Sequence, residues 1–179
     1  MPERNAVVAV YSTHEGAEDA VKELQRSGID MRTLSIVGKG THTDEHVMGY
    51  YNSGDRMKYW GSAGAYWGGF WGLLFGAAAF TIPGVGPVLM AGPIVASIVA
   101  ALEGVVVFGS LSALGAAIYG MGIPTNSVIE YEMAVKTDNY LLMVHGSVPD
   151  IEKARDIIES TRPIHLAIHS PEVHALAVR

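Results

Sequence analysis

Two pairs of histidines have a spacing at which imidazoles can share a metal ion. His42 and His46 stand four residues apart with two acidic residues between them, and on a helix they would project from one face and could bind a divalent ion. The neighbouring glycine and threonines favour a loop instead, and no third ligand follows from the spacing. His165 and His169 fall in a strand pattern, which would separate them by about 13 Å. We therefore predict no metal site and no cofactor.

Glu103 is the only Asp, Glu, Lys or Arg between Lys58 and Glu130. In apolar surroundings, desolvation raises the pKa of a carboxyl group, and a buried charge normally needs a partner. Arg56 and Lys58 are the nearest cations before it along the chain, and they lie beyond the base of the first helix that we predict below. We expect a neutral Glu103, or one that is hydrogen-bonded at a contact between subunits. A proton or cation site is the alternative.

Catalytic patterns are missing from the sequence. There is no cysteine, which excludes thiol chemistry, disulfides and cysteine-ligated metals. The chain also lacks a nucleophile with its base, a phosphate-binding glycine loop and a dinucleotide fingerprint. We predict that the protein is not an enzyme, and we assign no catalytic or cofactor-binding residue.

The stretch 59–122 is apolar and rich in small residues. Four of its glycines recur at a spacing that makes one stripe on a helix, and such stripes let two helices approach closely. We assign oligomer or membrane packing to Gly64, Gly68, Gly72, Gly76, Trp67, Trp71 and Glu103. The pattern predicts two helices, 62–80 and 93–120, joined by a rigid turn rich in proline and glycine. This helical hairpin is long enough to cross a membrane, but burial in a soluble homo-oligomer and packing within a monomer also remain open.

The two ends of the chain have similar patterns. Residues 6–37 and 140–168 each predict a strand, a helix and a second strand, and Ser12 with Glu15 forms a capping-box signature at the start of the first helix. Two such halves predict an α+β fold, namely a ferredoxin-like βαββαβ head with the long apolar helical hairpin inserted between strands 2 and 3. One face of the four-stranded sheet would stay open, and a second copy could cover it.

These patterns divide the chain into six segments. Residues 1–39 are the first half of the head, 40–58 are a polar loop, and 59–122 are the helical hairpin. Residues 123–137 are a connecting helix, 138–170 are the second half of the head, and 171–179 are a tail. We expect the head to fold without the hairpin, because each half has its own caps and its own apolar face.

The net charge and the N-terminal residues indicate which partners and which cellular location to expect. The formal net charge is −6, which argues against nucleic acid as the main partner. The first residues lack the pattern of a signal peptide, so we place the head in the cytoplasm. The expected partners are further copies of the protein and, if the hairpin enters the inner membrane, lipid.

The glycine-rich stretch also carries a resemblance. The run GDRMKYWGSAGAYWGGFWGLLFG, followed by IPGVGP, AGP, LEG and GIP, resembles a family of bacterial proteins labelled general-stress-protein-like or membrane proteins. The resemblance extends from about Gly54 to Gly146. It implies a stress-linked protein that self-assembles or associates with membrane, and it supplies no catalytic residues.

The combined prediction is a non-enzymatic, stress-associated protein. It would self-assemble, associate with membrane, or do both, through its glycine-striped hairpin. The alternative is a binding module that holds a small or lipophilic ligand in the head or between hairpins.

Overall fold

The structure, a computed structural model, describes residues 5–39, 78–103 and 111–170. Within these ranges the fold is α+β, with six strands in one antiparallel sheet and five α-helices. The strands are β1 (Asn5–Tyr11), β2 (Leu34–Lys39), β3 (Ala78–Ile82), β4 (Gly86–Ala91), β5 (Tyr140–Gly146) and β6 (His165–His169). The helices are α1 (His14–Arg26), α2 (Ile94–Glu103), α3 (Ala113–Gly120), α4 (Thr125–Lys136) and α5 (Val148–Ser160).

The sheet has the strand order β3-β4-β2-β5-β1-β6. β1 lies between β5 and β6 and is buried over its whole length, as its β-branched run predicts. β2 pairs with β5 on one side and with β4 on the other. The hairpin of β3 and β4 therefore extends the sheet beyond β2, while β6 is the outermost strand on the opposite side among the described residues.

The first helix begins one residue later than the capping box predicts. Thr13, not Ser12, is the N-cap, and its hydroxyl accepts a hydrogen bond from the backbone N–H of Gly16 at 3.1 Å. Gly28, in the left-handed region with φ +79°, follows the end of the helix. A short 3₁₀ turn, Met31–Thr33, then precedes β2, so the second strand predicted within residues 6–37 begins at Leu34.

Helices cover both faces of the sheet. α1 and α5 pack on the face that contains Val7, Ala9 and Leu142. Residues of α2, α3 and α4 cluster with Val8 and Met143 of the other face. The open face that we predicted is therefore covered by the chain itself.

The predicted helical hairpin is wrong where the structure describes it. Residues 78–80 belong to β3 and not to a first helix, and the predicted turn after them contains a second strand, β4. Gly84 lies in the tight turn between these strands with φ +82°. Short apolar runs suit a strand as well as a helix, and here β4 pairs with β2 from Ile36 to Lys39.

The predicted second helix, 93–120, is also wrong as a single element. Ser112 is not helical and N-caps α3 by accepting a hydrogen bond from the N–H of Gly115 at 3.2 Å. α2 and α3 are therefore separate helices, and they pack against each other. No helix within residues 5–39, 78–103 and 111–170 is both long and apolar enough to cross a membrane.

The predicted ferredoxin-like βαββαβ head with an inserted apolar helical hairpin must be corrected accordingly. Between β2 and β5 the described chain adds two strands and three helices. These elements extend the sheet to six strands and cover its second face. The α+β class is confirmed. The βαββαβ order of elements and the inserted helical hairpin are wrong.

Candidate functional site: a tyrosine–histidine cluster at the sheet edge

α4 brings Tyr131 against the edge of the sheet. Its apolar residues Val128, Tyr131 and Val135 follow helical spacing and are all fully buried. The sequence predicted a connecting helix at 123–137, and α4 lies within these bounds, from Thr125 to Lys136. Tyr131 is among the largest fully buried side chains of the described residues, so its hydroxyl needs a partner.

That partner is His169 on the edge strand β6. The Tyr131 hydroxyl lies 2.7 Å from Nε2 of His169, and the phenol donates when this nitrogen is unprotonated. The two rings also meet edge to face, with centroids 5.7 Å apart. This contact joins α4 to the last strand of the chain.

A second histidine of the same strand contacts the same ring. The centroid of His165 lies 5.9 Å from that of Tyr131. Its Nδ1 is 3.5 Å from Oε1 of Glu130, and both side chains are substantially exposed. An exposed pair of this kind contributes little to stability. The tyrosine–histidine cluster, defined as Glu130, Tyr131, His165 and His169, is therefore anchored by its buried tyrosine.

The electrostatics of the cluster keep the phenol protonated. Burial raises the pKa of Tyr131, and the negative charge of Glu130 raises it further. A phenol with a raised pKa is a poor base and a poor nucleophile at neutral pH. It remains a good hydrogen-bond donor, so the arrangement is suited to holding a helix on a strand.

A third histidine lies on the same face of the sheet. His145 of β5 and His169 of β6 are both cross-strand neighbours of Ala6, so the three residues form one row. Two strand spacings separate the histidines by about 10 Å. Nε2 of His145 is buried and has no hydrogen-bond partner among the described residues.

This burial changes the proton affinity of His145. Desolvation lowers the pKa of its imidazole, and the backbone groups of Met121 and Thr33 oppose that shift in part. The ring therefore resists protonation where it lies. Sequence reasoning missed this residue, because nothing in its strand indicates that backbone groups of Met121 and Thr33 lie beside it.

The histidines do not assemble a metal site in the described parts of the chain. His165 and His169 lie on β6, as the strand pattern predicted, and each contacts Tyr131. Residues 5–39, 78–103 and 111–170 contain no group of three or more His, Cys, Asp or Glu placed to hold a metal ion. His42 and His46 are outside the described ranges.

Most of the residues predicted for oligomer or membrane packing also lie outside the described ranges, namely Gly64, Gly68, Gly72, Gly76, Trp67 and Trp71. Glu103 is the last residue of α2, and the structure does not describe its side chain. Its predicted protonation state and partner therefore stay predictions. A close helix contact does occur elsewhere: a Cβ on Gly115 of α3 would come within 2.6 Å of Oε2 of Glu132 on α4.

Comparison with known families adds one finding to this geometry. Residues 6–82 match the family model described as the heat induced stress protein YflT domain. This match supports the general-stress-protein part of the resemblance for the matched segment, and it does not extend to the membrane-protein label. No curated protein and no solved structure shows a significant match. The YflT segment includes β1, α1, β2 and β3 but neither α4 nor β6, so the tyrosine–histidine cluster lies beyond it.

Proposed function

We propose that the protein is a non-enzymatic, stress-associated protein that assembles with copies of itself through the outer surface of α2, α3 and α4. The stress-associated role follows from the match of residues 6–82 to the YflT domain. Self-assembly goes beyond that match, and one observation carries it: these three helices expose large apolar side chains.

The apolar helical surface consists of five exposed side chains. They are Val99 (41%), Leu102 (38%), Tyr119 (46%), Ile129 (58%) and Met133 (55%). α3 contacts both α2 and α4, so the three helices form one layer. Large apolar side chains that are exposed on one layer of helices are typical of interaction sites, and covering them contributes roughly 25 cal/mol per Å² of apolar area.

The composition of α2 supports a contact with another protein surface. The helix contains no Asp, Glu, Lys or Arg before its last residue, Glu103. Interface cores are depleted of charged residues and enriched in aromatic residues and Met. Tyr119 and Met133 belong to the favoured types, and they lie on the neighbouring helices.

The chemistry of the tyrosine–histidine cluster fits a structural role for these residues. Tyr131 is kept protonated and bonded to His169, and the exposed pair of His165 with Glu130 lies to one side of it. This arrangement holds α4 on β6 without presenting an activated nucleophile.

Self-assembly can be measured by sedimentation velocity over a range of protein concentrations without detergent. Wild-type protein should show a mass above that of one chain. Ile129→Lys and Met133→Lys place a charge in the proposed contact, so each should weaken assembly on the order of tenfold or more. Val148→Lys is the matched control, because Val148 is also an exposed apolar residue (43%) but lies on α5, which covers the other face of the sheet.

Three results would contradict the proposal. Wild-type protein could remain monomeric at all concentrations, or Val148→Lys could weaken assembly as much as Ile129→Lys. In the third, the protein would sediment with lipid vesicles and stay monomeric without them, which would make membrane the partner of this surface. A lipid or quinone that copurifies at fixed stoichiometry would favour the alternative, a binding module.

A further inference from the structure

Met133 on α4 is the most exposed methionine among the described residues. It is 55% exposed. Met31, Met90 and Met143 are buried, and Met121 is only partly exposed. An oxidant must reach a thioether before it can react with the sulfur, so exposure favours oxidation of Met133 over that of the other methionines in the described ranges.

The sequence makes methionine the only side chain that contains sulfur. The chain has eight methionines and no cysteine. An oxidant that reacts with sulfur therefore meets thioethers and no thiols. The product, methionine sulfoxide, is reduced back to methionine by methionine sulfoxide reductases, so its formation is a reversible modification.

The position of Met133 makes a change of polarity effective. Ile129 lies one helical turn before it and is 58% exposed, and both residues belong to the apolar helical surface. Oxidation would replace the apolar thioether by a polar sulfoxide at the centre of the α4 part of this surface. Burying the sulfoxide oxygen in a contact is unfavourable unless it finds a hydrogen-bond donor.

The polar side chains one turn after Met133 already have partners. The Thr137 hydroxyl donates to the backbone carbonyls of Met133 and Ala134, at 3.0 and 3.1 Å. Nζ of Lys136 lies 2.6 Å from Oε1 of Glu132. A sulfoxide on residue 133 would have to compete with these bonds for a donor on its own helix.

We propose that Met133 is a redox-sensitive modification site, at which oxidation to the sulfoxide by a peroxide switches off assembly through the apolar helical surface. The sulfur attacks one peroxide oxygen and the O–O bond breaks. The proton on the transferred oxygen moves to the departing hydroxide, so the products are the sulfoxide and water. Sulfur loses two electrons and the peroxide accepts them. This inference rests on the proposed self-assembly and names its regulation.

Assembly and oxidation should compete for the same side chain. In the assembled protein a second copy would cover Met133, so a peroxide would reach it in the free subunit. Each oxidised subunit would then be withdrawn from the assembly equilibrium by mass action. The rate of Met133 oxidation should therefore fall as the protein concentration rises. In Ile129→Lys, which should assemble weakly, the rate should stay high at every concentration.

The selectivity of oxidation can be measured by mass spectrometry after brief exposure to hydrogen peroxide. Chymotrypsin cleaves after tyrosine, and Tyr131 and Tyr140 enclose Met133 in a peptide with no other methionine. The buried Met90 and Met143 are internal controls. In dilute protein we expect Met133 to be oxidised on the order of tenfold faster than these two residues.

Sedimentation velocity before and after peroxide treatment tests the effect on assembly. Treated wild-type protein should assemble on the order of tenfold or more weakly than untreated protein, and a methionine sulfoxide reductase should restore assembly. Met133→Leu has no sulfur at this position, so treatment should not change its assembly, whatever its starting affinity. Met121→Leu is the matched control, because it keeps Met133 and should lose assembly on treatment.

Three results would overturn the proposal. Met133 could be oxidised no faster than Met90 and Met143, treated wild-type protein could assemble as well as untreated protein, or Met133→Leu could lose assembly on treatment as wild type does. Each of these results leaves self-assembly standing if untreated wild-type protein sediments as an oligomer. A monomeric untreated protein would instead contradict the proposed self-assembly, and the switch would fail with it.

Discussion

At the residue scale, Tyr131 and His145 show how burial sets the chemistry of one sheet face. Burial raises the pKa of the Tyr131 phenol, and it lowers the pKa of the His145 imidazole. Both shifts favour the neutral form of the side chain, because desolvation penalises the charged form. Tyr131 bonds to His169, whereas Nε2 of His145 has no partner among the described residues. His145 is therefore a group through which acid should destabilise the fold.

We expect His145 to contribute to the loss of stability below pH about 6.5. Its pKa in the folded protein lies below the ordinary value of 6.5, so the unfolded chain binds more protons between these two values. The free energy of unfolding then rises with pH in that window and falls as the pH drops through it. His145→Leu removes this titration, and urea unfolding at several pH values between 5 and 8 should show a shallower dependence than in wild type.

An unchanged pH dependence in His145→Leu would contradict this account. It would mean that the imidazole is solvated or bonded in the folded protein. A loss of stability in the variant that is the same at every pH would reflect packing alone, so the difference between the two pH profiles is the relevant measurement.

At the element scale, the passage from β4 to α2 depends on one glycine. Gly92 has φ +90°, and a Cβ there would overlap the carbonyl oxygen of Leu34 on β2. The side chain of Ser35, also on β2, accepts a hydrogen bond from the N–H of Ile94 at 3.3 Å, at the start of α2. The turn at Gly92 therefore lets α2 begin in direct contact with β2, the strand that pairs with β4.

Gly92→Ala and Gly84→Ala should differ in cost although both glycines have positive φ. A left-handed backbone costs a non-glycine residue about 1–2 kcal/mol, and this is the whole expected cost at Gly84, where a Cβ meets nothing within 4 Å. At Gly92 the overlap with backbone adds to it, so we expect about 3 kcal/mol or more. Urea unfolding of the two variants measures the difference, and equal costs would show that β2 and the turn can move apart freely.

At the scale of the whole molecule, the sheet depends on helices from the middle of the chain. Val8, Val37, Leu141 and Met143 are fully buried and cluster with residues of α2, α3 and α4. Each such side chain contributes about 1.5–3 kcal/mol when it is removed from water, while a whole domain is stable by only about 5–15 kcal/mol. The structure therefore changes our expectation that the two ends fold alone.

Joining residues 1–38 to 138–179 through a short Gly/Ser linker should not give a stable domain. The linked chain would expose the face that α2, α3 and α4 now cover, and an exposed apolar sheet face favours aggregation or loss of cooperativity. Thermal unfolding followed by circular dichroism, together with sedimentation, would test this. A monomeric chain with a cooperative transition would show instead that the ends are sufficient and that the middle is an accessory.

Local patterns were reliable where neighbouring residues set the structure. The sequence predicted α1, α4 and α5, together with β1, β5 and β6, because caps, glycine stops and apolar periodicity act within a few residues. The helix start at Thr13 instead of Ser12 shows the usual error of one residue between adjacent hydroxyls. The candidate site was predicted only in part: both β6 histidines were placed on a strand, but Tyr131 was not identified as their common contact.

The sequence alone determined the elements at the two ends and the apolar character of the middle. It predicted a helix and a turn for the runs around Pro83 and Gly84, where the structure has two strands; the prediction was wrong because short apolar segments satisfy either period. That choice was made by tertiary structure: β4 finds its hydrogen-bond partners on β2, which lies about fifty residues earlier in the chain. Residues far apart in the chain also meet where α4 contacts β6. The hydrogen bond between Tyr131 and His169 therefore forms only once the chain has folded.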